Sequence, residues 1–212
     1  VRIVDRATWP RRAAFAHYRA YARPHMALAS RVDVTALLGA CRSTGRSFFA
    51  AMLQHTAAAA NAVPELRQRL RVVDGQDVVV EHPQVDPAFT VAVEGGLFDF
   101  ATVPFTDDPV AFDRAVANVS ADRVPAEDLS AFDGRRDDVV YQSCLPWLDF
   151  TGLTHPVTGP DDSVPRIAWG RFVTEGRRTR LTVNVQVHHA LVDGAHLGAF
   201  FQDLVRRCAD AS

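Results

Sequence analysis

Apolar positions along the chain fall into two rhythms, and the last third carries both most regularly. Over residues 195–208, Leu197, Phe200, Phe201, Leu204 and Val205 recur at helical spacing on one face, which predicts a closing helix. Just before it, residues 166–173 and 180–188 read as two strands of a hairpin around Glu175-Gly176. Upstream, helices and strands alternate irregularly. Residues 7–21 place Phe15 and Tyr18 at helical spacing, with Pro10 tolerated in the first turn. Residues 28–34 alternate as a strand, and residues 34–41 predict a short helix capped near Asp33 and ended around Gly45. Residues 47–63 predict a strong helix: Ser47 caps it, Phe49, Met52, Leu53 and an alanine run form a small-residue face, and Pro64 stops it. Residues 69–73 and 77–81 flank Asp74-Gly75 as a hairpin, and residues 88–93, 98–105 and 139–145 read as further strands. Residues 109–124 read as a helix and 158–164 as a loop of Gly, Pro, Asp and Ser. No repeat, low-complexity tract or long linker divides the chain, so residues 1–212 are expected to form a single α/β domain.

Composition removes several function classes. The net charge is −2, and clustered positive charge of the kind that binds phosphate backbones is lacking. No apolar run approaches the roughly 20 residues that span a bilayer, and the opening Val1-Arg2-Ile3-Val4-Asp5 does not read as a signal peptide. Three scattered cysteines, Cys41, Cys144 and Cys208, suit neither a disulfide framework nor a zinc site, and a reduced, cytoplasmic protein is expected. All 23 basic residues are arginine. Without a lysine there is no Schiff base, no pyridoxal-phosphate anchor and no P-loop amine.

The stretch with chemical potential is Gln186-Val187-His188-His189-Ala190-Leu191-Val192-Asp193-Gly194-Ala195-His196. A strand delivers two histidines at its end, and an Asp-Gly turn opens the final helix. His188 and His189 point to opposite faces of a strand, so at most one serves a given cleft. On the residues alone three readings stand. One histidine takes and returns a proton near neutral pH. Or both are satisfied structural residues beside an ordinary turn. Or His188, His189, Asp193 and His196 hold a metal, although they lack His-x₃-His helical spacing and a cysteine partner.

The same stretch resembles the H-H-x-x-x-D-G signature of acyltransferases that use acyl-CoA. Segments spread along nearly the whole chain narrow this to the chloramphenicol acetyltransferase family. They are Trp9-Pro10-Arg11-Arg12 with Phe15 and Tyr18, Arg31-Val32-Asp33-Val34-Thr35, Pro64-Glu65-Leu66-Arg67, Asp86-Pro87-Ala88-Phe89-Thr90-Val91, and Ser143-Cys144-Leu145-Pro146-Trp147 followed by Phe150. The resemblance implies an α/β two-layer sandwich, a mixed β-sheet with helices on one face. It places His189 on the catalytic base that deprotonates an acceptor hydroxyl, which attacks the thioester of acetyl-CoA. Ser143 falls on the serine that stabilises the tetrahedral oxyanion. Asp193 and Arg11 fall on a salt bridge supporting the catalytic loop, with His188 packed beside it and Cys144 a buried apolar residue. It further implies acetyl-CoA as cosubstrate, no permanently bound cofactor, and a homotrimer with sites between subunits. In that arrangement His189 comes from one protomer, while Tyr18, Phe132 and Ser143 line the neighbour's share.

The acceptor pocket departs from the family pattern. Counting back without gaps from His189, Ala168 replaces a threonine that helps order water near the oxyanion, and Arg166 falls where a branched apolar residue lines the pocket. Leu153 and His155 replace other apolar lining residues, Ala195 replaces an aromatic one beside the turn, and Phe98, Phe100 and Phe132 are available as walls. An inward Arg166 requires a carboxylate partner or an acidic acceptor, whereas a small register shift turns it outward. The expected function is acetyl transfer to a small-molecule hydroxyl, with chloramphenicol as default acceptor. The alternatives are a biosynthetic acyltransferase with another natural-product alcohol or amine, and a scaffold of this fold repurposed for a CoA-independent reaction.

Overall fold

Proline, glycine and capping residues punctuate the chain where the sequence places them, and a computed structural model describes residues 1–96, 98–121 and 136–211. Ser47 accepts a hydrogen bond from the Ala50 N–H at the head of α3 (Phe48–Ala62), and the helix ends before Pro64. The preceding helix α2 (Thr35–Thr44) closes on Gly45 in the left-handed region, φ 72°, which glycine enters without a Cβ clash. Asp33 supports its start, with Oδ1 accepting from the Thr35 N–H and hydroxyl at 3.0 and 2.6 Å. Asp74-Gly75, both at positive φ, turn β3 (Gln68–Val73) into β4 (Gln76–Glu81) as the two-residue hairpin expected of an Asp-Gly pair. That hairpin forms a small separate sheet with β1 (Arg2–Ile3), a strand the sequence reading did not contain.

The main sheet has seven strands. Its order is β2 (His25–Asp33), β10 (Arg178–His188), β8 (Arg166–Gly170), β7 (Val139–Leu145), β5 (Asp86–Ala92), β6 (Phe98–Thr102), with β9 (Val173–Glu175) also paired to β10. β7 runs parallel to both β5 and β8, and the other pairs are antiparallel, so the sheet is mixed. The expected strand over 166–173 is broken at Gly170. A Cβ there would sit 2.6 Å from the Leu148 carbonyl, and the Arg171 N–H donates to that carbonyl instead of continuing the ladder. β6 likewise ends at Thr102 rather than at 105. The N-terminal helix α1 (Arg12–Arg19) starts later than expected, beyond the Trp9-Pro10 turn.

α3 packs against β5, β7 and the closing helix α5 (Gly194–Ala209), and α4 (Pro109–Ser120) packs against α3 and β6. The alanines of α3 permit close approach, and Ile167, Trp169, Leu181, Val183, Val185 and Val187 fill the layer between helices and sheet. The opposite face of the same strands carries Arg166, Thr182, Asn184, Gln186 and His188, and these polar residues are buried as well. The irregular segment 149–165 covers them. Asn184 Oδ1 accepts from the Leu153 N–H at 3.2 Å, and Gln186 exchanges two bonds with the backbone of His155, at 2.7 and 3.1 Å.

Candidate active site

His189 stands one residue beyond β10, where its N–H donates to the Pro24 carbonyl at 2.7 Å. The chain then turns tightly, the Leu191 and Val192 N–H groups both returning to the His188 carbonyl. This turn brings the Val192 carbonyl 2.9 Å from His189 Nδ1. A carbonyl only accepts, so Nδ1 carries the proton and the neutral ring keeps its lone pair on Nε2. Nε2 has no hydrogen-bond partner among the described residues, and the ring is half-buried. Tyr18 of α1 stacks on the imidazole, centroids 3.8 Å apart and planes 22° from parallel, which fixes its remaining rotation.

The turn itself is held by charge. Arg11 Nη2 donates to the His189 carbonyl at 3.1 Å, and Nη1 pairs with the Asp193 carboxylate. Asp193 is the N-cap of α5, accepting from the Ala195 and His196 N–H groups, while His196 Nδ1 accepts from the Asp193 N–H at 3.1 Å. This reciprocal capping box satisfies the helix end that the turn after His189 runs into. Partial burial raises the Asp193 pKa, but the bond to Arg11 and its charge outweigh that and hold the carboxyl below its ordinary range.

His188 has the opposite fate. It is 1% exposed, Nε2 donates to the Pro160 carbonyl at 2.9 Å, and Nδ1 accepts from the Ala190 N–H. Burial pushes its pKa down to about 4, so it is a neutral structural residue at physiological pH. Asp193 and His196 meet in the capping box, but no group of three or more His, Cys, Asp or Glu is placed to hold an ion among the described residues.

Ser143 sits on β7 directly opposite Ala168 of β8, and its hydroxyl makes no hydrogen bond among the described residues. It opens into a cavity of about 1170 Å³ walled largely by Phe49, Phe98, Trp169 and Phe172, with exposed Trp147 and Arg171 at its edge. Cys144 lines the same cavity and is half-buried rather than buried; burial raises its thiol to about 11, which keeps it protonated. Phe100 packs edge-on against Phe98, and Phe132 lies outside the described residues.

The structure separates what the resemblance divides differently. His189 does not line the cavity that contains Ser143, and neither does Tyr18, which belongs with His189 on the same chain rather than on the neighbour's side. Arg166 is 8% exposed and forks onto Asp162, with bonds of 3.0 and 2.6 Å, while a third reaches the Val164 carbonyl. The carboxylate that a buried guanidinium requires therefore comes from the chain itself, in the segment covering the polar face. The guanidinium also lies over the Tyr141 ring at 5.3 Å. Leu153 and His155 belong to that covering segment. Burial and, secondarily, the Arg166 charge lower the His155 pKa to about 4, and its Nε2 is buried without a partner among the described residues. Ala168 lies on the same face between Ser143 and Asn184. Sequence reasoning missed Asp162, Asn184 and Gln186. For Asn184 and Gln186 the signal is a polar residue at every second position of residues 181–188, whose other positions are all apolar, which marks a face covered by something other than helices.

Comparison with known proteins places these residues in a family. The chloramphenicol acetyltransferase model matches residues 1–205. A chloramphenicol acetyltransferase 2 from Escherichia coli is 32% identical over 207 residues, covering 97% of this chain and 95% of its own length. One from Streptomyces acrimycini is 33% identical over 209 residues, covering 98% and 94%. A solved chloramphenicol acetyltransferase superposes with a TM-score of 0.88 at 22% identity, over 97% of this chain and 98% of that one. The cubic core of the pyruvate dehydrogenase multienzyme complex shares the fold more distantly, with a TM-score of 0.67 at 18% identity over 93% and 86%. On the match over residues 1–205, the chain belongs to the chloramphenicol acetyltransferase family.

Proposed function

We propose that this protein transfers the acetyl group of acetyl-CoA to a hydroxyl of chloramphenicol, using His189 as general base and Ser143 as oxyanion donor. The observation that carries this is the bond from His189 Nδ1 to the Val192 carbonyl, which leaves the Nε2 lone pair without a hydrogen-bond partner among the described residues. Nε2 removes the proton from the acceptor hydroxyl as its oxygen attacks the thioester carbonyl. Negative charge then develops on the former carbonyl oxygen, where the Ser143 hydroxyl donates to it. Collapse breaks the carbon–sulfur bond, and the imidazolium returns its proton to the departing thiolate. The apolar cavity beside Ser143 suits the thioester arm of the cosubstrate, with aromatic walls for its slender chain and Arg171 for its charged end. Arg11 and Asp193 hold the turn and take no part in the proton transfer.

Because His189 does not line the cavity that holds Ser143 in the same chain, we read the complete site as formed between copies, in a homotrimer. Each chain acts as one acetyltransferase domain over residues 1–212. No described helix is long and apolar enough to cross a membrane, and we place the enzyme in the cytoplasm, where acetyl-CoA and reduced cysteines coexist. The test is CoA release from acetyl-CoA and chloramphenicol, comparing the wild-type enzyme with His189→Ala. The expected loss in kcat is about a thousandfold. Equal rates remove His189 from the chemistry, and no turnover by the wild-type enzyme despite acetyl-CoA binding removes chloramphenicol as acceptor.

A further inference from the structure

Asn184 is a buried amide whose donor the fold leaves unused. It lies in the middle of β10, 1% exposed. Its Oδ1 accepts from the Leu153 N–H, but its Nδ2 is buried with no partner among the described residues. Its cross-strand neighbours are Ala29 on β2 and Ala168 on β8, and Ser143 on β7 stands opposite Ala168. Directly opposed residues project from the same face, so alanine, asparagine, alanine and serine form one row. Strands lie about 4.8 Å apart, so the Ser143 and Asn184 backbones are about 10 Å apart. Once both side chains reach toward each other, about 5–6 Å remains, the span of two hydrogen bonds through one oxygen. Ala168 stands between them, contributes only a methyl and is fully buried.

Ser143 has a complementary need. To donate its single proton to an oxyanion, the hydroxyl must be held in one rotamer, and a donor to its lone pair does this. We propose that Asn184 is a positioning residue for acetyl transfer. Nδ2 donates to a water above Ala168, that water donates to Ser143 Oγ, and the serine proton is left directed at the reacting carbonyl. The inference rests on Ser143 being the oxyanion donor.

The test is a double-mutant cycle between positions 143 and 184, read by kcat, both KM values and thermal stability. Asn184→Asp keeps an oxygen for the Leu153 N–H and removes the donor; Asn184→Ala removes both and serves as the uncharged check. In the wild-type background each is expected to lower kcat about tenfold, less than loss of the serine itself, with KM values changed by less than about twofold. In a Ser143→Ala background the same changes are expected to cost almost nothing further. Multiplicative losses in the two backgrounds overturn the proposal, as does a rise in acceptor KM at unchanged kcat, which assigns the amide to acceptor binding. If Ser143→Ala itself retains the full rate, the oxyanion assignment falls and the inference with it. If Ser143→Ala is slow but position 184 acts independently, only the role of Asn184 falls.

Discussion

At β8 and the second half of β10 both faces of the sheet are buried, and they are built on opposite principles. Toward the helices, Ile167, Trp169, Val183, Val185 and Val187 are covered by apolar side chains, and any substitute of similar volume fills the same space at modest cost. On the far face, Arg166, Asn184, Gln186 and His188 are covered by the segment 149–165, and each is matched to a particular atom of it. The apolar face supplies most of the stability because area removed from water is additive and indifferent to direction. The polar face supplies geometry, since a buried donor or acceptor tolerates only the arrangement that pairs it. Ser143 projects from the face where position is fixed by directed bonds.

That contrast can be broken from either side. Trp169→Ala opens the helix-side layer and is expected to cost about 3–5 kcal/mol in denaturant unfolding. A loss below about 1 kcal/mol would mean that this layer collapses to refill the space. Asp162→Ala strands the Arg166 guanidinium inside the polar face and is expected to cost about 3 kcal/mol. The companion change Arg166→Met in the same chain should recover much of it, and a cost that persists in the double variant would show Asp162 serving the loop rather than the arginine. Acid reports on the same face. The folded pKa of His188 is lowered to about 4, below its unfolded value, so the unfolded chain binds a proton first. Stability from this residue is therefore intact above about pH 6.5 and declines toward pH 4, by up to about 3 kcal/mol. Urea midpoints at pH 7, 5.5 and 4.5 should show a shallower decline in His188→Asn, and parallel declines would move the acid sensitivity elsewhere. The smallest effect is expected from Gln186→Leu, about 1–2 kcal/mol for the lost pair of bonds to His155. Its cleaner signature is faster amide exchange at His155 with no change at Val183 or Val185.

Legibility followed the same division. α3 and α5 were readable because caps, breakers and helical periodicity agree locally, and the Asp74-Gly75 turn because its backbone demands those residues. β1 was not, since two residues carry no period and the strand exists only through its pairing with β4. The break at Gly170 depends on the approach of the Leu148 carbonyl, a contact that no local pattern announces. Within the site, His189 stood out through its doublet and the Asp-Gly turn, and Ser143 through a resemblance rather than any property of a strand serine. The stacking partner of the imidazole, Tyr18, was named for a different place because sequence separation says nothing about which side of a subunit boundary a residue occupies. Asn184 and Gln186 carry no motif, and their partners are backbone groups about 31 positions away, invisible to any reading of side-chain types.

Those backbone partners have a consequence for how this site can change. Asn184 and Gln186 grip the covering segment by the N–H of Leu153 and the N–H and carbonyl of His155, groups that every residue except proline supplies. Attachment is thus independent of what the segment displays. Side chains at 153 and 155 can be exchanged while the strap stays fastened, so what the segment displays can vary one substitution at a time without first loosening the strands beneath it.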